Sequence, residues 1–131
     1  MNEQELIMQF QMFEHQINQI SQQLQAVDEN LEELNGLASG LEDLKGSEGK
    51  EILAPYGRGI FIKAKLLSED LLVDIGKKNF VKKSLQETKE LIQEQIQKLE
   101  GIKQELEQAM QSINSELTRI MIEAKKEKTN A

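Results

Sequence analysis

The chain contains no cysteine, so neither a disulfide framework nor a thiolate metal site can be built from it. It has a single histidine, His15, and without a second one no zinc constellation is available from these residue types. Aromatic residues make up only 4% of the chain against 30% charged residues, a balance that fits a coiled coil better than a packed globule. An excess of basic residues is also lacking. The formal net charge of −7 argues against nucleic acid and against an anionic membrane surface as partners. No apolar run approaches the roughly 18 residues of a membrane span. The opening residues Met1-Asn2-Glu3-Gln4-Glu5 are acidic, unlike the basic start of a secretory leader. The expectation is a soluble, intracellular, non-enzymatic protein with no metal and no cofactor.

What the chain does have is periodicity. Leu6, Phe10, Phe13, Ile17, Ile20, Leu24, Val27, Leu31, Leu34, Ala38 and Leu41 alternate spacings of four and three without a miss. A second stripe runs Leu85, Thr88, Ile92, Gln95, Leu99, Ile102, Leu106, then shifts phase to Met110, Ile113, Leu117, Ile120 and Ala124. Each stripe is a seam that requires a partner helix, and the chain supplies both halves. Helix 1 is expected over residues 2–45, about 60 Å long at about 1.5 Å per residue, with Asn2 as its cap and Glu3 and Glu5 in the first turn. Gly36 and Gly40 weaken its last turns by about 1 kcal/mol each. Helix 2 is expected over 84–128 and opens on the capping box Ser84-Leu85-Gln86-Glu87. Lys125, Lys126 and Lys128 lie near its negative end, and Thr129-Asn130-Ala131 reads as a frayed tail. A turnback centred between the stripes places Leu44 opposite Leu85 and Leu6 opposite Glu123.

Between the helices, residues 46–83 change to a period of two. Ile52-Leu53-Ala54 reads as a short strand closed by Pro55-Tyr56-Gly57-Arg58-Gly59. Ile60, Ile62, Ala64 and Leu66 share one face of the next strand. Leu71, Val73 and Ile75 share one face of a third, and Phe80-Val81-Lys82 completes a second hairpin. Two hairpins are marginal alone in water, and their open edges and apolar face call for other chains. Ile60, Ile62, Leu66, Leu71, Val73 and Ile75 are therefore the candidate subunit-assembly residues. The architecture expected is mostly α with a small β part: one domain, residues 1–131, in which a long antiparallel two-helix coiled coil is joined by two β-hairpins.

The segment Leu53-Ala54-Pro55-Tyr56-Gly57-Arg58-Gly59-Ile60-Phe61-Ile62-Lys63-Ala64-Lys65-Leu66, followed by Val73-Asp74-Ile75-Gly76 and Phe80-Val81-Lys82-Lys83, resembles the α-type subunits of the prefoldin family. No single piece is specific. The ordered combination between two heptad arms is, and it covers essentially the whole chain. Two hairpins match the α type, since the β type carries one. Tyr56-Gly57-Arg58 departs from the smaller residues usual there. The resemblance implies a cytoplasmic hexamer of two α-type and four β-type subunits, built on a double β-barrel with six hanging coiled coils. It also implies an ATP-independent holdase that binds non-native polypeptides at the coil tips and delivers them to a group II chaperonin.

The tips can be read independently of that likeness. A seam needs apolar residues only at two positions per heptad, yet the free ends carry extra ones: Ile7, Met8 and Met12 on helix 1, Met121 and Ile122 on helix 2. Together with Leu6, Phe10, Phe13 and Ile120 they form the candidate client-binding surface, because excess apolar area marks an interaction site and methionine adapts to varied surfaces. The plainer alternative is that these residues only close the end of the seam. At the level of the whole protein, the alternative is a structural homo-oligomer or filament that handles no client. His15 falls at an outward position, and Gly57-Arg58-Gly59 lacks the Lys-Ser/Thr ending of a phosphate loop.

Overall fold

A computed structural model describes residues 2–130, with side chains for residues 2–126. In chain order it contains α1 (Glu3–Leu44), β1 (Glu51–Gly57), β2 (Ile60–Lys65), β3 (Leu71–Asp74), β4 (Phe80–Lys83) and α2 (Leu85–Asn130). Asn2 caps α1: its Oδ1 accepts the Glu5 N–H at 2.8 Å, which satisfies one of the donors that a helix start leaves unpaired. Ser84 does the same for α2, its Oγ accepting the Glu87 N–H at 3.1 Å. α1 ends where Gly46 takes φ +74°, the left-handed geometry that favours glycine after a helix. α2 continues through Thr129 and Asn130, so no tail begins at Thr129; Ala131 and the Lys128 side chain lie outside the described residues.

The chain divides into two compact units. The first comprises the start of α1, to Leu31, and α2 from Lys98 onward. Here Leu6, Phe10, Phe13, Ile17, Ile20, Leu24, Val27 and Leu31 are all shielded to some degree, as the heptad spacing requires. The facing positions on α2 are Leu99, Lys103, Leu106, Met110, Ile113, Leu117, Ile120 and Ala124. Lys103 binds Asp28 of α1 at 2.8 Å across the pair. Near the other end of the unit Leu6 and Ala124 are both partly shielded. Glu123, expected opposite Leu6, is exposed and accepts a hydrogen bond from Arg119 instead.

The second unit, Glu32–Gln97, holds the other helix segments and all four strands. Leu41, Leu85, Thr88, Ile92 and Ile96 are its buried side chains. Ile96, not Gln95, enters the seam, and further on it is Lys103 rather than Ile102, which is 44% exposed. The phase shift read after Leu106 is therefore misplaced. The two consecutive spacings of four fall at Thr88, Ile92 and Ile96, where burying an isoleucine is more favourable than burying the Gln95 amide.

β1 and β2 form one antiparallel two-stranded sheet, β3 and β4 another. β1 does not stop at Ala54. It runs through Pro55 and Tyr56 to Gly57, with a bulge that leaves Tyr56 unpaired between Pro55↔Phe61 and Gly57↔Ile60. The turn is thereby reduced to Arg58-Gly59, at φ +49° and +80°. Both signs match the primed turn whose twist suits a two-residue hairpin. The second hairpin turns through Lys77 and Lys78, at φ +51° and +61°, closed by the Asn79 N–H donating to the Gly76 carbonyl.

Candidate functional site

Within the first unit, the ends of α1 and α2 bring together most of the residues expected to bind client. Ile7, Met8, Met12, Met121 and Ile122 are all exposed, Met8 most of all at 69%. Leu6, Phe10 and Phe13 sit half-buried in the seam behind them. Ile120 does not belong to this surface. It is 1% exposed, the most completely buried side chain described, because its heptad position points at α1 and not outward. The seam has a flaw nearby: the Gln9 Oε1 atom is buried without a hydrogen-bond partner. On α2, Arg119 reaches Glu116 at 2.9 Å and Glu123 at 3.1 Å. The two carboxylates, Glu116 first, hold its guanidinium above the usual arginine range.

In the second unit the hairpins present the other surface. Leu66, Leu71 and Val73 are half-buried, whereas Ile60, Ile62 and Ile75 are exposed. The opposite faces, not among the expected assembly residues, are barer still. Leu53 and Phe61 are exposed on the first hairpin, Leu72 (73%) and Phe80 on the second, and Leu67 (84%) lies between the hairpins. The missed signal was apolar residues in both phases of the strand alternation, the mark of a sheet covered on both sides. A hydrogen bond from the Gly46 N–H to Glu69 Oε1 ties the end of α1 to the loop between the hairpins. Lys89 of α2 forms an ion pair with Glu42 of α1 beside the same base. The hydrogen bond from Lys89 to Glu42, with the lysine charge, draws the Glu42 carboxyl below its ordinary range.

Two long helices, two separate hairpins and apolar surfaces on both define a recognisable plan. The family model described as Prefoldin subunit matches residues 13–129. The chain belongs to the prefoldin family, a family of chaperone subunits. It is 29% identical over 89 residues to the prefoldin subunit alpha of Methanosphaera stadtmanae, a match covering 68% of this chain and 64% of that one. Against the prefoldin subunit alpha of Methanobrevibacter smithii the identity is 33% over 89 residues, 67% of this chain and 61% of the other. The chain thus spans just over three fifths of the length of these relatives. Its fold is similar to that in the cryo-EM structure of filamentous PFD from Methanocaldococcus jannaschii, with a TM-score of 0.76 at 22% identity over 88% of this chain and 97% of that one. Among the described residues no helix is long and apolar enough to cross a membrane.

Proposed function

We propose that this prefoldin chain acts as an α-type subunit of a cytoplasmic, ATP-independent holdase. Its hairpins join β-type subunits into a hexamer of two α and four β chains. Its helix ends hold non-native polypeptides and deliver them to a group II chaperonin. The observation that carries the reading is the cluster of Ile7, Met8, Met12, Met121 and Ile122 exposed where the antiparallel helices begin and end. Each fully covered side chain of this kind is stabilised by roughly 1.5–3 kcal/mol, and a client's apolar segment supplies the cover. Leu6, Phe10 and Phe13, half-buried just behind the cluster, can be added as the helices part.

The test is light scattering of an aggregating client in the presence of the assembled complex. Ile7→Ser with Met121→Ser should weaken aggregation suppression several-fold, and unchanged suppression would refute the client surface. A second reading draws on the fold shared with the filamentous prefoldin: a self-assembling scaffold that handles no client. Native mass measurement with and without a β-type subunit separates the two, since the scaffold assembles alone.

A further inference from the structure

With no cysteine and no tryptophan in the chain, methionine is the residue that takes up a mild two-electron oxidant. There are five methionines. Met1 lies outside the described residues, and Met110 is half-buried at its seam position. The other three, Met8, Met12 and Met121, are 69%, 50% and 56% exposed, and all belong to the apolar cluster at the helix ends. Met8 and Met12, four residues apart, lie on one face of α1. The apolar side chains exposed elsewhere on the helices, Leu37 and Ile102, carry no sulfur. Among the described residues, exposed sulfur is therefore confined to the surface assigned to client.

We propose that Met8, Met12 and Met121 make this surface a reversible redox switch: oxidation to the sulfoxide weakens holding, and reduction restores it. The inference rests on the proposed client surface and names its regulation. The oxidant is a hydroperoxide. A methionine sulfur lone pair attacks a peroxide oxygen, the O–O bond breaks, an S–O bond forms, and water or an alcohol leaves. The thioether loses two electrons and the peroxide gains them. The return step consumes two thiols, which supply two electrons and two protons, end as a disulfide, and release the oxygen as water. The sulfoxide oxygen is a strong hydrogen-bond acceptor, so an apolar client segment that covers it strips its water without replacing the bond. Three of the five exposed side chains of the cluster then stop attracting client, and Ile7 and Ile122 remain. The seam is spared, because its positions are filled by leucine, isoleucine, phenylalanine and the shielded Met110. Leucine at the three outward positions is equally apolar and inert to peroxide; methionine couples holding to the redox state.

The experiment treats the full chain with hydrogen peroxide, removes the peroxide with catalase, and only then assembles the complex, so that no other subunit is oxidised. Peptide mass spectrometry should show Met8, Met12 and Met121 gaining oxygen about tenfold faster than Met110. Circular dichroism should be unchanged, while suppression of client aggregation weakens about fivefold. Methionine sulfoxide reductases for both sulfur epimers, supplied with a thiol, should restore it. The variant Met8→Leu, Met12→Leu, Met121→Leu, compared with its own activity before peroxide, should lose almost nothing, whereas Met110→Leu should stay as sensitive as the wild type. Unchanged suppression once the three sulfurs carry oxygen, an equal loss in the leucine variant, or a loss that the reductases do not reverse overturns the inference. Ile7→Ser with Met121→Ser, assayed without oxidant, keeps the two readings apart. If that variant holds client less well and oxidation does nothing, only the switch falls; if it holds client normally, the client surface falls and the switch with it.

Discussion

Ile120 and Ile122 are two residues apart on one helix and chemically identical, yet their surroundings predict opposite behaviour on truncation. Ile120 is 1% exposed and Ile122 is 51% exposed. Ile120→Ala removes three buried carbons, about 2.4 kcal/mol at about 0.8 kcal/mol per carbon. A cavity penalty adds to this, but an arm two helices thick can relax inward, which keeps the total near the low end of the usual 2–5 kcal/mol, at about 3 kcal/mol. Ile122→Ala loses about half of that transfer energy and recovers part of it because alanine is the better helix former, leaving about 0.5–1 kcal/mol. The helix ends can open without the rest of the molecule, so the assay is amide hydrogen exchange of residues 110–126. Ile120→Ala should cut protection about 100-fold, Ile122→Ala by no more than about fivefold, with 1.4 kcal/mol equal to a factor of ten. In client assays the order reverses per unit of lost stability: Ile122→Ala weakens holding while the arm stays closed. Equal losses of protection at the two sites would refute the assignment of Ile120 to the seam and Ile122 to the surface.

Exchanging the neighbours at the phase shift gives a second test. Ile96→Gln should destabilise the second unit by about 2–3 kcal/mol in urea unfolding, while Gln95→Ile stays within about 0.5 kcal/mol, because only Ile96 is buried. Arg58→Asn should slow amide exchange in β1 and β2 by about two- to fivefold, because asparagine tolerates the positive φ of a primed turn better than arginine does. The Glu42–Lys89 pair contributes stability that is fully present above the ordinary carboxylate range and lost as pH falls through the lowered folded-state pKa of Glu42. Between about pH 6 and pH 3, Glu42→Gln should therefore lose less thermal stability than the wild type, with the melting midpoint as the readout.

The fold was legible because its determinants are local and repetitive. A seam residue every three or four positions declares a long helix, and α1 kept that rhythm from Leu6 to Leu41 with no polar residue to contradict it. α2 was harder, since Gln95 and Ile102 satisfy the spacing as well as Ile96 and Lys103 do. Spacing alone cannot choose between them. The choice depends on what faces each position, and an Asp28 carboxylate across the pair lets a lysine occupy a seam position that composition would assign to isoleucine. The bulge at Tyr56 was illegible for a related reason. Pro55 and Gly57 are ordinary turn residues, and only the strand register shows that the turn proper is Arg58-Gly59.

The candidate surfaces followed the same division. Exposure at the helix ends could be read from counting, since Ile7, Met8, Met12, Met121 and Ile122 are more apolar residues than one partner helix can cover. Counting could not separate Ile120 from Met121 and Ile122, because a hydrophobic cluster contains both its seam members and its outward members, and only the heptad phase distinguishes them. On the hairpins the error ran the other way. Treating one face as the interface assumed that the other was solvated, yet Leu53, Phe61, Leu72 and Phe80 lie bare on that second face. A hairpin that is apolar on both faces has contacts prepared in two directions at once.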